Sequence, residues 1–188
     1  MKHLKLYEQF DFDENDPFGE ETRYAKPGTF LFFLQRQYPN ENTWDKIKKI
    51  SCSYKQLTSL EGIENLVNLK YLYCFNNQLT SLEGVENLVN LEYLHCSYNQ
   101  LTSLEGIENI VNLETLICYN NHLTTLEGIE NLVNLKYFDC SNNNLTSLEG
   151  IENLVNLKNL YCSRNPLTIE YKNYLIDYCK EREIYLYI

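Results

Sequence analysis

Six cysteines recur every 22 residues, and thiols are the side chains in this sequence best suited to metal or redox chemistry. They are Cys52, Cys74, Cys96, Cys118, Cys140 and Cys162. On adjacent strands successive thiols would be about 5 Å apart, a spacing that on distance alone permits a disulfide. A zinc site usually takes its ligands from cysteine pairs two to four residues apart, and the sequence has no such pair. Because cysteine also packs as a small buried hydrophobe, we predict a structural column, with no metal and no cofactor.

Two columns of glutamate keep the same 22-residue interval, and stacked carboxylates are potential calcium ligands. They are Glu61, Glu83, Glu105, Glu127 and Glu149, and Glu64, Glu86, Glu108, Glu130 and Glu152. Both columns follow the segment that leads from one copy to the next, so we expect them to face solvent away from the strands. We interpret them as a solvated negative rim that discourages end-to-end stacking of molecules.

Catalytic chemistry has little support in the sequence. His95 and Asp139 would lie two strands apart, about 10 Å, which exceeds the hydrogen-bond reach of a catalytic pair. His122 occupies a corner position where other copies have glutamine or asparagine, which indicates a polar filler. Nucleophile-elbow, phosphate-loop and zinc-protease motifs are absent from the sequence. We therefore predict that the chain is not an enzyme.

These columns belong to an internal repeat. The segment LTSLEGIENLVNL at 57–69 recurs with few changes at 79, 101, 123 and 145. Six copies begin at Ile47, Leu69, Leu91, Leu113, Leu135 and Leu157. A regular period of this length is typical of a solenoid, in which each copy buries its core only against its neighbours.

Each copy contains two apolar spacings. Leu72 and Cys74 are two residues apart, so they point to one face of a strand and leave Tyr71 and Tyr73 on the other. From Leu79 onward the apolar residues recur at every third position, which suits 3₁₀ turns better than an α-helix. Each copy is therefore predicted to be a strand, a tight corner and a 3₁₀-rich return, and stacked copies form a parallel sheet.

The frame L-x-x-L-x-C-x-x-N-x-L resembles the leucine-rich-repeat signature over residues 47 to 167, with cysteine in a slot usually held by leucine. The resemblance implies an α/β solenoid with a curved parallel sheet on its concave face, an irregular 3₁₀ convex side and a C-terminal helical cap. The repeats are similar to the 22-residue phosphatase-regulator-like and internalin-like class. The near-identical, Asn- and Tyr-rich copies also resemble repeat proteins of giant DNA viruses, and a viral protein would act in the host cytoplasm or the virion.

An asparagine occupies the corner of five copies. These residues are Asn77, Asn99, Asn121, Asn143 and Asn165, and the first copy has Lys55 instead. A buried corner leaves backbone groups that need partners, and an amide side chain both donates and accepts. We therefore predict an asparagine ladder that bonds the backbone of neighbouring copies.

The ends of a solenoid need caps. We predict an acidic-aromatic tail at 1–23, an N-terminal cap at 24–46, six repeats at 47–168 and a C-terminal cap at 169–188. The N-terminal cap would bury Phe30, Leu31, Phe33, Leu34 and Trp44. The C-terminal cap would be a helix lined by Ile169, Leu175 and Tyr178, followed by a strand-like IYLYI tail.

The copies differ mainly at the outward strand positions, whereas core and return positions are almost identical. From these we predict a protein-binding surface made by Tyr71, Tyr73, Tyr93, His95, Ile117, Tyr137, Asp139 and Tyr161. Tyrosines on a rigid surface provide large contact area with few rotatable bonds. The alternative is drift at positions that packing leaves free, with tyrosine favoured by its β-propensity.

Composition restricts the partner. The formal net charge of −10 argues against nucleic acid and anionic membranes. Most of the acidity lies in the glutamate columns and residues 11–22, so it does not imply a basic partner for the strands. The sequence has neither a signal peptide nor a membrane span, and we expect a cytoplasmic monomer that binds a protein, a host protein if the viral resemblance holds. The rival hypothesis is a structural spacer, or a virion-associated protein, whose N-terminal tail binds.

Overall fold

Short parallel strands form one sheet in the computed structural model, which describes residues 29–188. Their order along the sheet follows the chain, β1 to β7. The strands are β1 Lys49–Ser51, β2 Tyr71–Tyr73, β3 Tyr93–His95, β4 Thr115–Ile117, β5 Tyr137–Asp139, β6 Asn159–Tyr161 and β7 Tyr185–Tyr187. All neighbouring strands pair in parallel with matching register, for example Leu72 with Leu94. The chain is a leucine-rich-repeat solenoid in architecture, as the sequence predicts.

The alternation along each strand separates the core from the surface. The central residue of each repeat strand is buried, and its two neighbours point to the opposite side of the sheet. The buried central residues are Ile50, Leu72, Leu94, Leu116, Phe138 and Leu160. The six repeat cysteines lie in the same core. Cysteine packs there as a small buried hydrophobe.

The asparagine ladder is present, and Asn99 illustrates its geometry. Its Oδ1 accepts from the amide of Leu79 at 3.0 Å, and its Nδ2 donates to the carbonyls of Cys74 at 3.1 Å and Cys96 at 3.0 Å. One side chain therefore satisfies backbone groups in its own copy and in the preceding one. The same bonds recur at Asn77, Asn121, Asn143 and Asn165.

A second asparagine ladder runs along the return segments, and the sequence arguments assigned it no role. Asn90 Nδ2 donates to the carbonyl of Val67 at 2.9 Å, in the preceding copy. The equivalent residues are Asn68, Asn90, Asn112, Asn134 and Asn156. Neighbouring copies are thus bonded at the end of each return as well as at the corner.

Each return contains one short 3₁₀ helix, as the period of three predicts. These helices are Ile63–Asn65, Val85–Asn87, Ile107–Asn109, Ile129–Asn131 and Ile151–Asn153. A glycine precedes each one in the left-handed region, with φ of 94° at Gly84. Glycine is favoured there because it has no Cβ to clash with the backbone.

One of the two glutamate columns does more than form a solvated rim. The amide of Gly84 donates to Glu86 Oε2 at 2.8 Å, so the carboxylate caps the start of the 3₁₀ helix. The other members of this column bond in the same way, namely Glu64, Glu108, Glu130 and Glu152. The other column, which begins at Glu61, is exposed as expected. The spacing of the sequence did not reveal the difference, because both columns repeat identically.

At the N-terminal end, helix α1 (Phe30–Gln37) and a 3₁₀ helix (Glu41–Lys46) precede β1. Phe30, Leu34 and Trp44 are buried, and Leu31 and Phe33 pack partly buried against the same core. The predicted tail at 1–23 and the start of the predicted cap, 24–28, lie outside the described residues. The domain boundaries remain predictions.

At the C-terminal end, helix α2 (Ile169–Glu181) packs Leu175, Tyr178 and Cys179 into the core. The prediction that Ile169 lines this helix was wrong, since Ile169 is 66% exposed. Six residues separate it from Leu175, which places it about 120° away around the helix. After α2, the tail adds β7 beside β6.

We expect Asn121→Ala to lower the free energy of unfolding by about 1–3 kcal/mol, because it leaves buried carbonyls and an amide without partners. Urea denaturation measures the change. Asn109→Ala, at an exposed asparagine of the adjacent return, is the control. Equal losses in the two variants would show that the corner bonds do not stabilise the fold.

Two glycines with the same backbone conformation allow a test of packing alone. A Cβ at Gly84 would lie 2.7 Å from Ile63 Cγ2 in the core, whereas at Gly106 the nearest atom is Glu86 Oε2 at 3.2 Å, the end of a flexible side chain. Their φ angles are 94° and 96°, so backbone strain is nearly equal. We expect Gly84→Ala to destabilise the protein by about 1–3 kcal/mol more than Gly106→Ala in thermal or urea unfolding. Equal losses would mean that backbone strain alone decides the effect.

Candidate binding site on the strand face

The side of the sheet opposite the core is here called the strand face, and two columns of outward residues form it. The first is Lys49, Tyr71, Tyr93, Thr115, Tyr137, Asn159 and Tyr185. The second is Ser51, Tyr73, His95, Ile117, Asp139, Tyr161 and Tyr187. All eight residues predicted as a binding surface lie in these columns. Their role in binding remains a prediction.

The tyrosines of β2 and β3 form one aromatic group. The ring centroids of Tyr73 and Tyr93 are 5.0 Å apart, and those of Tyr71 and Tyr93 are 6.4 Å apart. The ammonium of Lys49 lies 5.1 Å from the ring of Tyr73, within cation–π range. Neighbouring rings restrict one another, so this part of the face presents a preorganised apolar surface.

His95 belongs to an aromatic stack and not to a catalytic pair. Its ring lies 4.5 Å from that of Phe75, nearly parallel, and 6.2 Å from that of Tyr119. Among the described residues its Nε2 has no hydrogen-bond partner. Burial lowers the pKa of His95, which favours the neutral ring. The structure does not join His95 to Asp139, which lies two strands away.

A second aromatic group lies on β5, β6 and β7. The ring of Tyr161 is 5.2 Å from Tyr137, 5.8 Å from Tyr185 and 6.0 Å from Tyr187. The two tyrosines of β7 were missing from the predicted surface, although the tail was predicted to be strand-like. The YLY pattern at 185–187 repeats that at 71–73 and was the signal that could have identified them.

Between the two aromatic groups, β4 carries the smaller Thr115 and Ile117. Asp139 borders this gap, and its Oδ1 accepts from the amide of Ser141 at 3.0 Å. Burial raises the pKa of Asp139 above its ordinary value. Burial, and next the nearby charge of Asp139, raises the pKa of Tyr137 to about 12. The gap is therefore an apolar, tyrosine-lined part of the face that contains one carboxylate.

The cysteine column lies beneath this face and has the properties of core packing. Burial raises the pKa of the Cys96 thiol to about 12, so the reactive thiolate is disfavoured. The thiol of Cys118 donates to the carbonyl of Asp139 at 3.4 Å. Within residues 29–188, no cluster of His, Cys, Asp or Glu side chains could hold a metal ion. In the same range no helix is long and apolar enough to cross a membrane.

Ion pairs join residues that immediately precede the strands. The ammonium of Lys70 pairs with Glu92, and that of Lys136 lies 2.8 Å from Glu114. The hydroxyl of Tyr71 also donates to Glu92, at 3.3 Å. These exposed pairs contribute little stability, but they neutralise charges at the border of the strand face.

A family model and one solved structure agree with this architecture. The family model described as Leucine Rich repeats (2 copies) matches residues 45–87, 89–131 and 133–173. An internalin (inlF) from Listeria monocytogenes is similar in structure, with a TM-score of 0.61 and 22% identity over 79% of this chain and 49% of the internalin. Internalin C2 (inlC2) of the same organism has a TM-score of 0.49 and 26% identity over 66% of this chain and 65% of its own. The chain thus spans about half the length of the first internalin. No curated protein matches the sequence.

We expect Asp139→Asn to stabilise the protein at pH 7. The folded pKa is raised above that of an unfolded aspartate, about 3.9, so the folded state binds the proton more tightly. Wild-type stability therefore falls as the pH rises from the unfolded through the folded pKa, and the amide removes this loss. Urea midpoints should be higher for the variant at pH 7 and equal to wild type near pH 3.

The control for this variant is Asp177→Asn, which removes one carboxylate at an exposed position of α2. We expect no comparable gain there. A wild-type midpoint above that of Asp139→Asn at pH 7 would contradict the expected cost of the buried charge.

Proposed function

The chain belongs to the leucine-rich-repeat family, and on that premise we propose that it is a protein-binding module whose strand face holds the partner. The observation that carries the proposal is the arrangement of tyrosine rings on one side of the sheet. Tyr71, Tyr73 and Tyr93 form one group and Tyr137 and Tyr161 another, with Ile117 between them. Aromatic residues at protein interfaces contribute a disproportionate share of binding energy.

The variation between copies supports this assignment. Where the repeats bond one another, at the corner asparagine, the buried cysteine and the capped return, the copies are nearly identical. In the second column of the strand face the same register position is held by tyrosine, histidine, isoleucine and aspartate. Packing therefore leaves these positions free to specify a partner.

The two described helices pack elsewhere and support an open strand face. The amide of Phe30 in α1 donates to the carbonyl of Ser59, in the first return. In α2, the hydroxyls of Tyr171 and Tyr178 bond Leu148 and Ile151, in the last complete return. Both α-helices thus contact return segments, and within residues 29–188 this leaves the strands open to a partner.

The proposed partner is a protein, bound by a monomer of this chain without catalysis. Internalin inlF, which shares the fold, carries no information on that partner at 22% identity. A viral source and a host partner are proposed from the sequence resemblance, and a cytoplasmic location is likewise a proposal. The rival proposal is a spacer whose residues 1–22 bind.

We expect Tyr71, Tyr93 and Tyr137 changed together to serine to abolish partner capture from a host lysate, because the variant loses an aromatic ring from both groups on the face. The control changes three exposed valines of the returns, Val67, Val111 and Val133, to serine. Quantitative mass spectrometry of captured protein measures both. Circular dichroism confirms that each variant remains folded.

A deletion variant distinguishes binding by the strand face from binding by residues 1–22. Removal of residues 1–22 should leave capture unchanged if the strand face binds. Capture that survives the tyrosine changes and is lost on deletion would refute the strand-face proposal. A photo-crosslinking residue at Tyr73, compared with one at Val111, then shows directly which side of the sheet contacts the captured protein.

A further inference from the structure

Asp139 is the one carboxylate in the two columns of the strand face as described. In register, its neighbours are Ile117 on β4 and Tyr161 on β6. Tyr137 precedes it by two positions on the same face of β5. A single negative charge therefore lies beside an aliphatic side chain and two tyrosines.

The carboxylate is only partly satisfied within the protein. One oxygen, Oδ1, accepts from the amide of Ser141 at 3.0 Å. Across residues 29–188, the ion pairs involve Glu92 and Glu114, and neither a lysine nor an arginine pairs with Asp139. A carboxylate has about four acceptor sites, so acceptor sites of Asp139 remain beyond its hydrogen bonds with the amide and side chain of Ser141.

This arrangement is unfavourable in the free protein. Withdrawing a charge from water costs free energy unless it is paired, and the raised pKa of Asp139 has this origin. The solenoid does not need an acid here, because the other copies have serine, tyrosine, histidine or isoleucine at the equivalent position. A half-buried, unpaired charge that packing does not require is characteristic of a functional site.

We propose that Asp139 receives an arginine side chain of the partner protein, with its guanidinium hydrogen-bonded to the carboxylate and stacked against the ring of Tyr137 or Tyr161. A planar guanidinium combines a fixed set of donors with a flat surface for stacking, which an ammonium lacks. This inference rests on the proposed function and adds the chemistry of one contact. The inferred arginine contact is based on the charge of Asp139 and not on the net charge of the chain, because most acidic residues lie outside the strand face.

The test uses the full chain and a probe peptide, acetyl-Gly-Gly-Arg-Gly-Gly-amide, titrated by two-dimensional NMR. The amide of Ser141 reports the site, because it donates to Asp139. We expect saturable shifts of this signal with the arginine peptide. The same peptide with citrulline, a neutral isostere, should bind at least about tenfold more weakly, as should the arginine peptide to Asp139→Asn, since each loses a charge-assisted hydrogen bond.

A matched variant separates a specific contact from general charge attraction. Glu114→Gln also removes one negative charge near the face, from a carboxylate that pairs with Lys136. Arginine-peptide affinity should change less than about twofold in this variant, because exposed charges are largely screened by water and salt. A lysine peptide should bind more weakly than the arginine peptide, since an ammonium cannot stack.

Several outcomes would overturn the proposal. They are no saturable shift at Ser141, equal affinity for arginine and citrulline, equal affinity of wild type and Asp139→Asn, or tighter binding of lysine. Crosslinking of a captured protein at Tyr73 tests the strand face independently of this probe. If crosslinking succeeds and the arginine peptide does not bind, the strand-face proposal is supported and the arginine contact is refuted. If the arginine peptide binds and crosslinking fails, Asp139 binds a guanidinium but the strand-face proposal is refuted.

Discussion

The constraint on which this fold depends is that backbone groups buried between copies need hydrogen-bond partners. At the five corners that contain an asparagine, the chain turns inward beside a buried cysteine. The asparagine amide serves three backbone groups there, in its own copy and in the one before it. Because each copy completes the bonds of its predecessor, a single copy cannot be satisfied alone, and the unit has to repeat.

This dependence explains which positions are uniform and which are variable. The corner asparagine, the return asparagine, the left-handed glycine and the capping glutamate each bond the backbone, so a change in any one of them disturbs two copies or a whole turn. The outward strand side chains take no part in these recurring bonds. They can therefore hold groups that are unfavourable for stability, and Asp139 is such a group. A rigid scaffold tolerates a destabilised carboxylate because many identical bonds elsewhere hold the backbone in place.

The C-terminal end also extends the candidate site. After α2 covers the end of the core, the chain returns to the sheet and adds β7. This strand completes the pairing of β6 and places two tyrosines beside Tyr161. One segment thus ends the solenoid and enlarges the aromatic surface.

The sequence by itself determined the architecture, because that architecture is periodic. A 22-residue interval, a strand alternation of two and a return spacing of three identify the sheet, the core side, the 3₁₀ returns and the corner asparagines. Only the tertiary structure decided which side chains contact one another, because the repeat pattern does not specify distances between side chains. Two glutamate columns look equivalent in the sequence, yet only one reaches a glycine amide. Ile169 and Leu175 lie on different sides of α2, and only the packing shows that the side of Leu175 is the buried one. Among the described residues, no lysine or arginine forms an ion pair with Asp139. The sequence does not show this, because an ion pair depends on three-dimensional proximity and not on spacing along the chain.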